Sequence, residues 1–316
     1  MSFSTKTKNE LARIFPMQRC CQLAELAGLV RVDGTILINP NNQIGLQLTT
    51  GNPAIARKGL KLAKLLFDLQ TELRIQQKNR LKKNNLYIVR IAPPNNVREI
   101  LKVLGITREG VFINPGIAPH LIQKRCCQRS YLRGVFLGAG SLNDPQNNYH
   151  LEISINSLEY AQALVSLISL FDLQAKISTR KNNFVVYLKE SEQIVTFLNI
   201  IEAHSALLHF EDVRIKKDMR NQINRLVNCE TANLNKTINA SFRQIENIRF
   251  IADTLGLEKL PANLKEVAEL RLAHPDISLK ELGEMLNPKL GKSGINHRMR
   301  KLEELAEKLR KEKFKF

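Results

Sequence analysis

The chain has 316 residues, enough for two or three domains that each bury a core, with 43% hydrophobic and 25% charged residues, the balance of a folded soluble chain. Forty-eight Lys plus Arg against thirty Asp plus Glu leave a net charge of +18, which makes a polyanion the default partner. The apolar runs are too short to span a bilayer, Met1–Phe15 lacks the apolar stretch of a signal peptide, and five cysteines without such a signal predict reduced thiols in a cytosol, so secretion, membrane spanning and a disulfide scaffold are not expected.

In chain order, small residues and apolar periodicity predict a helix over 17–32. Strands follow at 34–39 and 44–50, a helix at 53–68, strands at 72–77 and 86–91, and a helix at 95–104. The same order then recurs: helix 124–139, strands 141–143 and 149–156, helix 157–171, strands 175–179 and 184–189, helix 191–202. The text recurs with it. Cys20-Cys21-Gln22 is echoed by Cys126-Cys127-Gln128, and Leu66-Phe67-Asp68-Leu69-Gln70 by Leu170-Phe171-Asp172-Leu173-Gln174. Matches in the same order with a slowly drifting offset mark a duplication. The expected fold class is therefore α+β: a duplicated αββαββα domain over 1–204, with repeats at 1–104 and 105–204.

Beyond it, polar and Asn-rich text predicts a linker over 205–230, and an all-α domain occupies 231–316. A helix over 231–254 has Leu234, Ile238, Phe242, Ile245, Ile248 and Ile251 at helical spacing, and Gly256 caps it. Three helices follow. One covers 263–273; the second opens on Ser278 with Glu281 three residues later, a capping box. The third runs from Ser293 to about Arg310, with Ile295, Met299, Leu302, Ala306 and Leu309 as its buried stripe. On its opposite face Ser293, Asn296, His297, Arg300 and Lys301 all lie in the first three turns. That is the arrangement of a helix-turn-helix whose second helix enters the major groove by its N-terminal end. Arg298 in the same turns, and Ser278, Lys280, Lys289 and Lys292 beside them, complete the expected DNA-contacting set. The alternative is a three-helix bundle with a solvated basic face.

Leu26-Ala27-Gly28-Leu29-Val30-Arg31-Val32-Asp33-Gly34 resembles the LAGLIDADG motif of homing endonucleases, and the repeat order is similar to theirs. The resemblance implies two motif helices packed side by side through Ala24, Ala27, Gly28, Gly134, Gly138 and Ala139, with the sheets forming a saddle over DNA. It also implies one acid at the foot of each motif helix to hold catalytic metal ions. The first copy keeps Asp33, whereas the second has Ala139, so DNA cleavage is not expected. Asp33 then reads as an exposed carboxylate ahead of a turn glycine, and Asp144 as a turn residue.

A degenerate LAGLIDADG-like domain joined to a helix-turn-helix resembles the WhiA family of Gram-positive bacteria. Tyr131-Leu132-Arg133-Gly134, Arg225-Leu226-Val227-Asn228-Cys229-Glu230-Thr231-Ala232-Asn233 and Gly291-Lys292-Ser293-Gly294-Ile295-Asn296-His297-Arg298 carry the likeness. It implies a C-terminal domain similar to the promoter-reading region of sigma factors. It also implies a DNA-binding role in cell division and chromosome segregation, or in the transcriptional control of sporulation in actinomycetes. Double-stranded DNA is the implied partner, with transcription or division proteins besides. No cofactor, metal or membrane is implied, and the place is the cytoplasm, on the nucleoid. The competing readings are a non-catalytic division adaptor working through protein contacts and an active homing endonuclease.

The charge is uneven. Residues 1–104 hold 17 basic and 6 acidic side chains, whereas 105–204 hold 9 and 8. Arg57, Lys58, Lys61, Lys64, Arg74, Lys78, Arg80, Lys82 and Lys83 concentrate the excess, as phosphate contacts, a solvated face or a dock for an acidic protein. The adjacent cysteines read as small buried apolar residues and not as metal ligands, because none has Cys-x-x-Cys spacing and helix neighbours point about 100° apart.

Overall fold

The computed structural model describes residues 1–38, 44–67, 71–77, 85–91, 97–108 and 112–313. It contains two compact units, Met1–Lys217 and Asp218–Phe316.

The first unit opens with α1 (Phe3–Leu11), which the sequence reading passed over; Ser2 caps its first turn. The first copy follows as α2 (Arg19–Asp33), β1 (Gly34–Ile38), β2 (Ile44–Thr50), α3 (Pro53–Phe67), β3 (Thr71–Gln77), β4 (Asn85–Ile91) and α4 (Val97–Val103). A short ribbon, β5 (Thr107–Arg108) with β6 (Phe112–Ile113), and one 3-10 turn at Pro119–Leu121 come before the second copy. That copy is α5 (Arg125–Ala139), β7 (Gly140–Leu142), β8 (Leu151–Ile155), α6 (Leu158–Ser169), β9 (Lys176–Arg180), β10 (Asn183–Leu188) and α7 (Ser191–Ile200). Both are αββαββα, and both form antiparallel four-stranded sheets of one topology, β1-β2-β4-β3 and β7-β8-β10-β9. Alternation decides which sheet face is buried. Leu46 and Leu48 of β2, and Leu151 and Ile153 of β8, point into the core, while Gln47 and Glu152 between them point away.

The motif helices α2 and α5 pack against each other along their glycines. A Cβ on Gly28 would collide with the Tyr131 carbonyl, and one on Gly134 with the Glu25 carbonyl. The backbones approach so closely that no larger residue fits at either position.

From His204 to Thr254 the chain is one helix, α8, so the expected linker over 205–230 is helical. The reason is visible in the text: the segment contains neither Pro nor Gly, and its polarity marks exposure, not disorder. The ion pairs Glu211–Arg214 and Asp212–Lys216 support its early turns. The expected apolar face over 234–251 is corrected too: Ile248 and Ile251 are fully buried, but Leu234, Ile238 and Phe242 are exposed.

In the second unit α9 (Ala262–Ala273), α10 (Leu279–Glu284) and α11 (Lys292–Lys313) close over a small core of Val267, Ala268, Leu282, Leu286, Ile295, Met299, Leu302 and Ala306, together with Ile248 and Ile251. The capping box forms: Ser278 Oγ accepts from the Glu281 amide at 3.3 Å, and the Ser278 amide donates to Glu281 Oε2 at 2.7 Å. Gly283 is the pivot of the turn. Its carbonyl accepts from the Leu290 amide at 2.9 Å, and a Cβ there would strike the Leu290 carbonyl.

Candidate nucleic-acid interface

α11 is anchored by Ile295, Met299, Leu302 and Ala306, all buried on one side. At about 100° per residue the opposite side carries Ser293, Asn296, His297, Arg300 and Lys301, and all five are exposed. Glu303, Glu304 and Glu307 are exposed further along among Lys308, Arg310 and Lys311, so this helix is basic and hydrogen-bonding at its N-terminal end and of mixed charge beyond it. Lys280, Lys289 and Lys292 are exposed beside that end. Two residues of the expected set are engaged elsewhere. Ser278 spends its hydroxyl on the capping box, and Arg298 is half-buried, donating through Nη1 to the Asn263 carbonyl of α9 at 3.2 Å. Arg271, which the sequence reading did not single out, is a structural cation: it is buried and donates to the Ile277 carbonyl at 2.8 Å.

In the first unit, Arg57, Lys61 and Lys64 line the exposed side of α3. Lys58 does not join them, which corrects its reading as a phosphate contact. It is 1% exposed, pairs with the Glu25 carboxylate, and donates to the carbonyls of Leu11 at 2.8 Å and Ile14 at 2.6 Å. Burial pulls its pKa below the usual ammonium range, and Glu25 opposes that pull. Glu25 also receives Arg133 from the other motif helix, Nε and Nη2 each at 3.1 Å, and Arg133 Nη1 reaches Glu202 at 2.6 Å. These charges belong to a buried network that crosses between the copies. No sequence signal marked it, because Glu25 and Arg133 lie 108 residues apart. Lys78, Arg80, Lys82 and Lys83 fall outside the described residues. Arg74 is exposed and pairs with Glu72 at 3.3 Å.

The sheets place the charges of their outward faces differently. Strand register places Thr35, Gln47, Arg90 and Glu72 in one row of the first sheet. The matching row of the second is Ser141, Glu152, Tyr187 and Lys176. An Arg beside a neutral Gln in one copy is thus replaced by a Tyr beside a Glu in the other. Glu152 is further engaged by His150 at 3.1 Å.

The foot of the motif helices departs from the sequence reading. Asp33 is no exposed carboxylate: it is half-buried, and burial raises its pKa to about 6, with the Lys8 ammonium opposing the shift. Gly34 after it is no turn glycine, since it starts β1 with φ −78°. Lys8, from α1, donates to the Gly138 carbonyl of α5 at 3.3 Å. An ammonium thus sits between the foot of one motif helix and that of the other. A cleft of about 1100 Å³ opens there, lined by Lys8, Arg13, Arg57 and Lys61, with Asp33 as its single acid among the described residues. Asp144 is a turn residue, its Oδ1 accepting from the Gln146 amide at 2.9 Å.

The cysteine reading needs correction. Cys21 and Cys127 are buried, but Cys20 and Cys126 are exposed, and the four sulfurs lie within 4.8 Å of one another. Spacing along the chain hid this, because the second pair of ligand atoms comes from the other copy.

Comparison with known proteins follows the same division. Residues 19–107 match the family model described as the WhiA N-terminal LAGLIDADG-like domain, 128–220 the WhiA LAGLIDADG-like domain, and 223–306 the WhiA C-terminal HTH domain. The "Probable cell division protein WhiA" of Desulforamulus reducens is 57% identical over 311 residues, covering 98% of this chain and 97% of that one. That of Heliobacterium modesticaldum is 54% identical over 309 residues, covering 97% and 96%. A crystal structure of full-length DUF199/WhiA from Thermatoga maritima superposes with a TM-score of 0.60 at 27% identity, covering 98% of this chain and 99% of that one.

Proposed function

This chain belongs to the WhiA family, and from that premise we propose that it is a non-catalytic DNA-binding regulator acting in cell division, through transcription and chromosome segregation. The polarity of α11 carries the reading. Its groove-reading residue types, Ser293, Asn296, His297, Arg300 and Lys301, stand exposed opposite the core in the first three turns. Arg pairs with guanine edges and Asn with adenine, so this set can discriminate bases. Lys280, Lys289 and Lys292 add phosphate contacts that set register on the duplex. Arg298 supports the domain from within by holding α11 to α9.

The duplicated domain supplies sequence-independent affinity through the first copy. Arg57 and Lys64 are exposed cations of α3 able to meet phosphates, Lys61 beside them stacks over the Phe15 ring, and Arg90 lies on the outward face of the first sheet. The near-neutral charge of the second copy gives it less affinity for DNA. Hydrolysis is not part of this function. A two-metal site needs carboxylates on both motif helices. Ala139 provides none, and the Lys8 ammonium supplies positive charge beside Asp33 in place of a metal ion.

The test is chromatin immunoprecipitation with sequencing, wild type against Arg300→Glu/Lys301→Glu. Sharp promoter peaks lost in the variant are expected. Peaks that persist unchanged would move the function to the first unit or to protein contacts, the adaptor reading.

A further inference from the structure

We propose that Cys20, Cys21, Cys126 and Cys127 form a tetrathiolate site for a single zinc ion, which ties the two copies together at the N-terminal ends of their motif helices. Cys20 and Cys21 are the second and third residues of α2, and Cys126 and Cys127 hold the same places in α5. Their four sulfurs lie within 4.8 Å of one another. Zinc bound by thiolates at about 2.3 Å in a tetrahedron sets neighbouring sulfurs about 3.8 Å apart. A contraction of about 1 Å by side-chain rotation is therefore enough.

Three further observations favour one ion. An all-sulfur ligand set selects a thiophilic metal, and four sulfurs around one point suit the tetrahedral preference of zinc. An iron–sulfur cluster binds its cysteines through separate irons and needs them further apart. A disulfide would join two sulfurs and leave two unused. The helix ends also suit thiolates. The N-terminal ends of α2 and α5 each carry partial positive charge. Binding is balanced by proton release: four thiols give up four protons to solvent, and the bound ion with four thiolates carries −2. The partial positive charges of the two helix ends offset part of that charge.

Gln18 completes the arrangement. Its Oε1 accepts from the thiols of Cys20, Cys21 and Cys126 at 3.6, 3.8 and 3.6 Å. Once the thiols are ionised those donors are gone, and rotation of the amide turns Nε2 toward the thiolates as an orienting donor. The cavity of about 160 Å³, lined by Gln18, Cys21 and Cys126, gives an entry path.

The experiment uses the full chain, purified under reducing conditions, stripped of metal and titrated with Co²⁺. Tetrahedral tetrathiolate absorption bands should saturate at one ion per chain and disappear when zinc is added. X-ray absorption at the zinc edge of the wild type should report four sulfur neighbours. Cys20→Ser/Cys126→Ser changes the two exposed positions, so far-UV circular dichroism should stay unchanged while affinity falls by about 100-fold or more. Cys229→Ser, on α8, should bind as wild type does. Absent cobalt bands, nitrogen or oxygen neighbours in the absorption spectrum, or undiminished binding by the double variant would each overturn the proposal. So would a disulfide between the two cysteine pairs, found by peptide mapping, in protein taken from cells without zinc.

Discussion

Arg57 and Lys58 adjoin in sequence, yet only Arg57 reaches water, because one turn of α3 places Lys58 against Glu25 beneath the motif helices. Removing one member of a buried ion pair leaves the other charge uncompensated, at about 3–5 kcal/mol. Lys58→Ala should therefore lower unfolding stability by about that amount, and Arg57→Ala by less than about 0.5 kcal/mol, in urea titrations of the full chain. Equal effects would remove Lys58 from the core network. Asp33 offers a pH-dependent test. Its folded pKa of about 6 lies above the ordinary 3.8, so between those values the folded state holds a proton that the unfolded chain has lost. Stability from this group therefore falls as pH rises through that window. Asp33→Asn removes the penalty. It should gain on the order of 1 kcal/mol at pH 7.5, after allowance for partial exposure, and nothing below pH 4. A gain that persists at low pH would point to a cause other than titration.

At the scale of elements, the motif helices and the turn before α11 each depend on a glycine contact. Gly134→Ala forces a Cβ into the Glu25 carbonyl, where no side-chain rotation gives relief. A loss above about 3 kcal/mol is expected for the first unit, measured by thermal unfolding. Gly283→Ala meets the Leu290 carbonyl instead, which distorts the turn before α11. It should cost sequence-specific binding in an electrophoretic shift assay while leaving non-specific binding in place. The αββαββα order of both copies was legible, because alternation and helical periodicity repeat twice. α8 was not, because a long polar helix has no stripe and its Asn content imitates a linker. α1 was missed as well, being short and charged, and its importance lies in Lys8 and Glu10, which act on distant elements. The Glu10 carboxylate accepts the Ser205 and Ala206 amides at the start of α8, at 2.6 and 3.1 Å.

For the molecule as a whole, the proposal divides DNA affinity into a reading part and a holding part. Arg300→Glu/Lys301→Glu should abolish discrimination between specific and random duplexes but keep salt-sensitive binding. Arg57→Ala/Lys61→Ala/Lys64→Ala should keep the discrimination and reduce the slope of log K against log salt by about 1 for each lost phosphate contact. Combining the sets should remove both. A triple variant with an unchanged salt slope would leave α3 as a solvated face, one of the readings the charge excess alone allowed.

Local chemistry within one chain segment was readable from the sequence by itself: the duplication, the αββαββα order, the glycines of the motif helices, the capping box at Ser278, the exposed face of α11 and the missing acid at position 139. Each is a pattern over neighbouring residues, and helical or strand period converts it directly into a face. Only the tertiary structure decided which charges reach water and which partners meet. Lys58 became a core cation, Asp33 a half-buried carboxylate beside Lys8, and four cysteines from two copies a single cluster. The first two outcomes depend on α3 and α1 packing against α2, and the third on the close packing of α2 and α5, which brings residues about a hundred positions apart together; no spacing along the chain encodes that.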